Sequence, residues 1–207
     1  MVDEKVTLYA PDPSDLFIDG PTLQIMLSTA RIWLELNAPA LNSINVYPVP
    51  DGDTGSNLSD TLIAATNEIG NIAPSASVSE VASTAARGAL LGARGNSGVI
   101  FSQWLGGIAH ALDGIQKANT EQLANAFIEG ENSAYQSIGV PKEGTILSIA
   151  RTIAHTKPTS NSIIKFLESS SKAANEAVEK TKNQMPLLAE AGVVDAGGQG
   201  LAIILEG

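Results

Sequence analysis

Apolar residues recur at helical spacing in eight successive stretches of this chain, separated by short runs rich in Gly, Pro, Asn and Ser. That pattern predicts amphipathic helices with polar outer faces and short connections. From Thr22 onward, Leu23, Leu27, Ala30, Leu34 and Leu41 fall near one stripe, while Gln24, Ser28, Arg31 and Glu35 lie off it. Pro21 suits the first turn of that helix. Further helices are expected over 56–69, 77–91, 98–112, 120–137, 145–154, 162–183 and 198–205. Ser77 and Glu80 have capping-box spacing, Thr120 is expected to cap the fifth helix, and Phe101, Leu105, Ile108 and Leu112 share a face. Strand-like runs such as 46–49 are short and interrupted by Pro48 and Pro50. The expected fold is all-α, about eight helices whose short loops make neighbours antiparallel. Residues 1–20, with Pro11 and Pro13, read as an extended arm with a short strand at 6–9, and 21–207 as the domain.

A length of 207 residues with 43% hydrophobic content supports one domain with a substantial core. Aromatics are 4%, so Ala, Leu, Ile and Val must supply most of that core. Twelve Lys and Arg against 22 Asp and Glu leave a net charge of −10, which argues against a nucleic-acid partner. With no Cys, disulfides, thiolate zinc sites and Cys nucleophiles are excluded, and a cytoplasmic location is expected. Asp3 and Glu4 follow Met1, unlike a secretory signal. The most apolar region, 88–112, contains Arg94, Asn96 and Gln103, so no transmembrane segment is expected.

Residues 45–57 read NVYPVPDGDTGSN. Asp51 and Asp53, two apart, repel each other unless a cation or proton lies between them. Gly52 and Gly55 allow sharp turns, and the string runs into a helix whose first N–H groups lack intrahelical partners. Such a loop can hold Mg²⁺ through its carboxylates and phosphate at the helix start. An Asp/Gly turn that merely caps a helix looks the same, and the residues alone leave both open. An EF-hand is excluded, because Gly55, Ser56 and Leu62 stand where that loop needs Asp or Asn, Gly and Glu.

The string GARGNSG, residues 92–98, precedes another apolar helix. Asn96 or Ser97 can cap it or donate to a phosphate, Arg94 is the cation of the loop, and a plain Gly-rich turn is the alternative. PKEGT at 141–145 and VVDAGGQG at 193–200 open two more helices. Neither a Walker loop nor G-x-G-x-x-G occurs. Four such helix openings at one rim would give an anion positive potential despite the acidic composition. His110 and His155 sit at helix C-termini, where imidazole is favoured for structural reasons. Trp33 and Trp104 read as core or pocket wall.

At these strings the chain resembles the kinase domain shared by the dihydroxyacetone kinase L subunit and the bacterial fatty acid kinase A proteins, most closely the latter. The resemblance runs from about Asp19 to Gly207, with NVYPVPDGDTGSN, GARGNSGVIFSQ, PKEGTIL and VVDAGGQGL in the family's order. It implies a barrel of eight antiparallel helices with ATP, or ADP after transfer, and two Mg²⁺ ions at one rim. It makes Asp51 and Asp53 metal ligands and sets Thr54, Gly55, Ser56, Asn57, Asn96 and Ser97 against the phosphates. Thr145, Asp195, Ala196 and Gly197 would lie along the nucleoside. Asn45 stands, with one residue of offset, where the dihydroxyacetone branch has a third Asp, and offers an uncharged oxygen. The resemblance also implies an excised domain of a longer chain, able to form a homodimer, that engages a separate fatty-acid-binding carrier protein.

The expected reaction is phosphoryl transfer from ATP to a fatty acid carboxylate, giving an acyl phosphate. That acceptor is ionised near neutral pH and needs no general base, in keeping with the lack of a credible His or Glu base. Catalysis would rest on Asp51, Asp53 and their cations, the helix starts, and Arg94 as an extra positive group. The alternatives are a dihydroxyacetone-type kinase, whose hydroxyl acceptor needs a base, and a non-catalytic nucleotide-binding regulatory module.

Overall fold

The computed structural model describes residues 15–207; the short strand expected at 6–9 lies outside them. A two-residue strand, β1 (Ile18–Asp19), leads into α1 (Gly20–Ser43). Then come α2 (Thr54–Ile69), α3 (Val78–Gly92), α4 (Gly95–Ala111), β2 (Lys117–Ala118), α5 (Thr120–Gln136), α6 (Ile146–Ala154), α7 (Ile163–Thr181), α8 (Pro186–Ala191) and α9 (Ala196–Glu206). Each helix from α1 to α6 packs on the next, and α9 packs on α6, α7 and α1, which closes the ring. The fold is the expected all-α bundle. β1 pairs antiparallel with β2, Ile18 opposite Ala118, so residues 18–20 join the body.

Local chemistry accounts for the helix starts. Asp19 caps α1 by accepting the Thr22 N–H at 3.1 Å, with Pro21 in the first turn. The Ser77–Glu80 capping box forms at α3. At α5 the cap is Asn119, not the expected Thr120: Asn119 and Gln122 make a reciprocal capping box, and the Thr120 hydroxyl donates to Asn161 O at 2.8 Å. The short α8 was not expected, although Pro186 at its first turn and left-handed Gly192 after its last are helix boundary signals.

The core is aliphatic with one aromatic seam. Phe101, Trp104, Phe127 and Phe166 stack in series with ring centroids 6.2, 5.7 and 5.8 Å apart, joining α4, α5 and α7. Each such buried side chain contributes about 1.5–3 kcal/mol relative to exposure. Trp104 is thus in the core as expected, whereas Trp33 is 45% exposed and lines neither cavity described below. It sits on α1 beside the backbone of Gly207. An apolar cavity of about 590 Å³ lies between α1, α4, α5, α7 and α9, with Leu27, Ile108, Phe127 and Leu167 among its walls. Among the described residues no helix is long and apolar enough to cross a membrane.

Candidate functional site

The last turn of α1 organises the loop before α2. Asn45, 5% exposed, donates its side-chain amide to Val49 O and to Asp51 Oδ1, both at 2.9 Å. Its Oδ1 accepts the Thr54 hydroxyl. One turn earlier, Asn42 Oδ1 accepts the N–H groups of Gly55 (2.7 Å) and Ser56 (3.1 Å), while its amide donates to Ser56 Oγ at 2.9 Å. The first turn of α2 is therefore capped from α1. Gly55 is required there, because a Cβ would collide with the carbonyl oxygen of Ala38.

This arrangement differs from the sequence reading in two respects. The Gly55 and Ser56 amides, expected to face phosphate, are committed to Asn42. The Asn45 oxygen, expected as a third metal ligand, is engaged by Thr54. Asp53, in contrast, stands at the N-cap position and makes no side-chain bond to its own helix, although Asp is among the preferred caps. Asp51 is exposed and Asp53 half-buried, and neither forms an ion pair among the described residues. With Asp51 Oδ1 taken by Asn45, the other Asp51 oxygen and the Asp53 carboxylate are the oxygen donors of this loop that would suit a hard divalent cation. The described residues contain no cluster of three or more His, Asp or Glu able to hold a metal. The pair alone matches Mg²⁺, which commonly takes one or two carboxylates and completes its shell with water and phosphate oxygens.

The other three openings converge. α4 starts at left-handed Gly95, packed against the Asn57 side chain of α2, and the Arg94 N–H donates to Thr61 Oγ1 at 3.3 Å. Thr145 caps α6: its Oγ1 accepts the Leu147 N–H at 3.4 Å and donates to Lys142 O at 2.7 Å. Asp195 caps α9, accepting the Gly198 N–H at 2.7 Å, and also takes the Ile146 N–H of α6. Its own N–H donates to Thr181 Oγ1 at 3.0 Å. A methyl group placed on Gly197 would lie 3.3 Å from Ile146 Cβ and 3.6 Å from Ser97 Oγ, so the starts of α4, α6 and α9 meet there.

A cavity of about 230 Å³ opens at this junction. Asn96, Ser97, Lys142, Thr145 and Asp195 supply its polar groups, while Ile100, Ile138, Val140 and Leu147 supply apolar wall. At that size, below the roughly 300–1,000 Å³ of whole-ligand pockets, it takes part of a ligand and leaves the rest outside. Burial pushes the Asp195 carboxyl up to about 6, against the pull of the Gly198 and Ile146 N–H groups.

Of the residues singled out in the sequence, Asn96, Ser97, Thr145, Asp195 and Gly197 line this cavity, and Ala196 is buried beside it in the first turn of α9. Asp51, Asp53, Arg94, Asn45, Thr54, Gly55, Ser56 and Asn57 do not. Their loop reaches the cavity through Tyr47 and Pro48, and α2 reaches it through Asn57, which touches Gly95 next to Asn96. Lys142, the cation of the wall, was missed, although it stands in the PKEGT string noted for its helix start. His155 also has a partner that spacing did not reveal: its Nε2 lies 3.3 Å from Glu131 Oε2.

Residues 48–207 match the DAK2 domain. The chain belongs to the DAK2 domain family, in agreement with the resemblance carried by its four strings. An uncharacterized protein of Staphylococcus saprophyticus is 39% identical over 194 residues, and one of Staphylococcus aureus is 38% identical over 194 residues. Each alignment covers 92% of this chain but 35% of the relative, so the chain spans about a third of the length of the curated relatives it matches. The fold is that of the dihydroxyacetone kinase of C. freundii. Its native form superposes with a TM-score of 0.66 and 19% identity over 89% of this chain and 33% of that one. The same kinase in complex with AMP-PNP and Mg²⁺ gives 0.66 and 19% over 100% and 37%.

Proposed function

We propose that this domain binds ATP with two Mg²⁺ ions at the junction of α2, α4, α6 and α9, and that the phosphoryl group it holds goes to a fatty acid carboxylate presented by a separate acyl-binding protein. The observation that carries this reading is the meeting of three helix starts around Asn96, Ser97, Thr145 and Asp195, next to a loop that carries Asp53, which makes no side-chain bond to its own helix, and Asp51, held through one oxygen by Asn45. The complex of the C. freundii kinase with AMP-PNP and Mg²⁺ supports the choice of ligand.

In this reading Thr145, Asp195 and Gly197 border the nucleoside within the cavity. Asn96, Ser97 and the N-terminus of α4 face the phosphates, where the helix dipole favours an anion. Asp51 and Asp53 hold the cations, which neutralise phosphate charge when bound. Asn45, Asn42, Thr54, Gly55 and Ser56 orient this machinery rather than touch the ligand. A carboxylate oxygen of the acceptor attacks the γ-phosphorus as the bond to the β–γ bridging oxygen breaks, giving acyl phosphate and ADP. The acceptor is already ionised, so no proton must be removed. We further assign the chain to the cytoplasm and to the nucleotide-binding part of a longer protein.

The test is a phosphate-transfer assay with acyl-loaded carrier protein and, separately, dihydroxyacetone. Acyl phosphate formed only with the carrier supports the reading. Glycerone phosphate instead makes the domain a dihydroxyacetone-type kinase, and nucleotide binding without transfer to either acceptor, in this chain and equally in a longer protein that contains it, makes it a regulatory module.

A further inference from the structure

The connection from α5 to α6 supplies Ile138, Val140, Lys142 and Thr145 to the cavity wall. Within the same turn, Glu143 is taken up by other groups. Its Oε1 accepts Arg151 Nη1 at 2.7 Å and the Tyr135 hydroxyl at 3.1 Å, and its Oε2 accepts Ser148 Oγ at 2.6 Å. Ser148 Oγ accepts the Gly144 N–H at 2.8 Å. Gly144 has φ +80°, and a Cβ there would press on Gln184 and Met185, so the turn is confined from that side as well.

Arg151 ties this turn to the bundle. Its Nε lies 3.0 Å from Oε1 of Glu131, an α5 residue only 8% exposed. The guanidinium carbon is 4.3 Å above the Tyr135 ring. One planar fork thus bridges a buried carboxylate of α5 and an exposed carboxylate of the turn, which the single ammonium of a lysine does less well. Burial works against the charge on Glu143, but the Ser148, Tyr135 and Arg151 donors outweigh it and hold the carboxyl below its usual range.

We propose that Arg151 is a positioning residue: anchored on Glu131, it grips Glu143 and holds the 142–145 turn in the shape that presents Lys142 and Thr145 to the ligand. The clamp stands on its own geometry, and its effect on binding rests on the reading of the cavity as the nucleotide site.

Two variants test it. Glu143→Ala removes a side chain that is 56% exposed and leaves the pair of Arg151 with buried Glu131 intact. Arg151→Lys keeps a cation beside Glu131 but bridges the two carboxylates less well. In both, hydrogen exchange of amides 138–145 should accelerate about tenfold while α2 and α4 stay protected. Affinity for AMP-PNP with Mg²⁺ should fall about tenfold as pre-organisation is lost. Glu143→Gln, which keeps acceptor oxygen, should recover part of both. Unchanged exchange over 138–145 overturns the clamp, and faster exchange with unchanged affinity overturns its positioning role. An unsubstituted chain that binds no nucleotide overturns the reading of the cavity, and the exchange comparison then still decides the clamp.

Discussion

Asn45 donates its side-chain amide to Asp51 Oδ1 at 2.9 Å, so a buried uncharged residue orients one of the two carboxylates on which the metal assignment rests. Its own oxygen is held by Thr54. Asn45→Ala should therefore act twice. Losing these buried hydrogen bonds should lower unfolding free energy by about 1–3 kcal/mol, read by denaturant titration. Losing the orientation of Asp51 should weaken Mg²⁺-dependent nucleotide binding about tenfold, read by calorimetry. A stability loss with unchanged binding would show that Asp51 needs no orienting partner.

Asn42 caps the first turn of α2 from a neighbouring helix. Asn42→Ala leaves the Gly55 and Ser56 N–H groups without that acceptor and should cost about 1–2 kcal/mol of stability. Because those amides serve the cap rather than a phosphate, the loss should persist at saturating nucleotide. Full rescue by nucleotide would mean that the ligand takes them over.

Gly55→Ala should destabilise through close packing. The added methyl runs into the Ala38 carbonyl, and helices packed this closely separate at a cost of about 1–3 kcal/mol. Thermal melts of the variant should show a lower midpoint, and an unchanged midpoint would mean that α1 yields freely.

Asp195 should mark the pH dependence of stability. Burial raises its folded-state value to about 6 from 3.8. Above both values the group is ionised in either state, and the buried charge disfavours the fold. As pH falls from about 6 to about 4 the folded state takes up a proton that the unfolded chain does not, so this group's contribution to stability rises. Asp195→Asn should abolish that rise: its melting midpoint relative to the parent should be higher near pH 7.5 than near pH 4.5. A constant difference across that range would contradict the raised value.

The eight long helices could be read from the chain because each carries its own periodicity and local stop and start signals. Ser77 with Glu80 is one example, and the stripe from Ala30 to Leu41 is another. α8 escaped because six residues are too few for a period to show. Either residue of the Asn119–Thr120 pair can cap a helix, and only geometry decides for Asn119 at α5. At the site, the strings located the helix starts but not their partners. Asn42 capping α2, Asn45 turning toward Asp51 and Arg151 reaching Glu143 are contacts between segments, and spacing along one segment carries no trace of them. Lys142 was within a noted string, yet which side of the turn faces the cavity depends on how α5 and α6 pack.

In the function proposed above, Asp51 and Asp53 hold the cations that meet the nucleotide's phosphates. Calorimetry of the unsubstituted chain, Asp51→Ala and Asp53→Ala with ATP, with and without Mg²⁺, tests it most directly, with circular dichroism confirming helix content. Binding by the unsubstituted chain should depend on Mg²⁺, and each variant should lose about a hundredfold or more in affinity at unchanged helicity. Equal affinity for ATP and Mg²⁺ in all three proteins would contradict it.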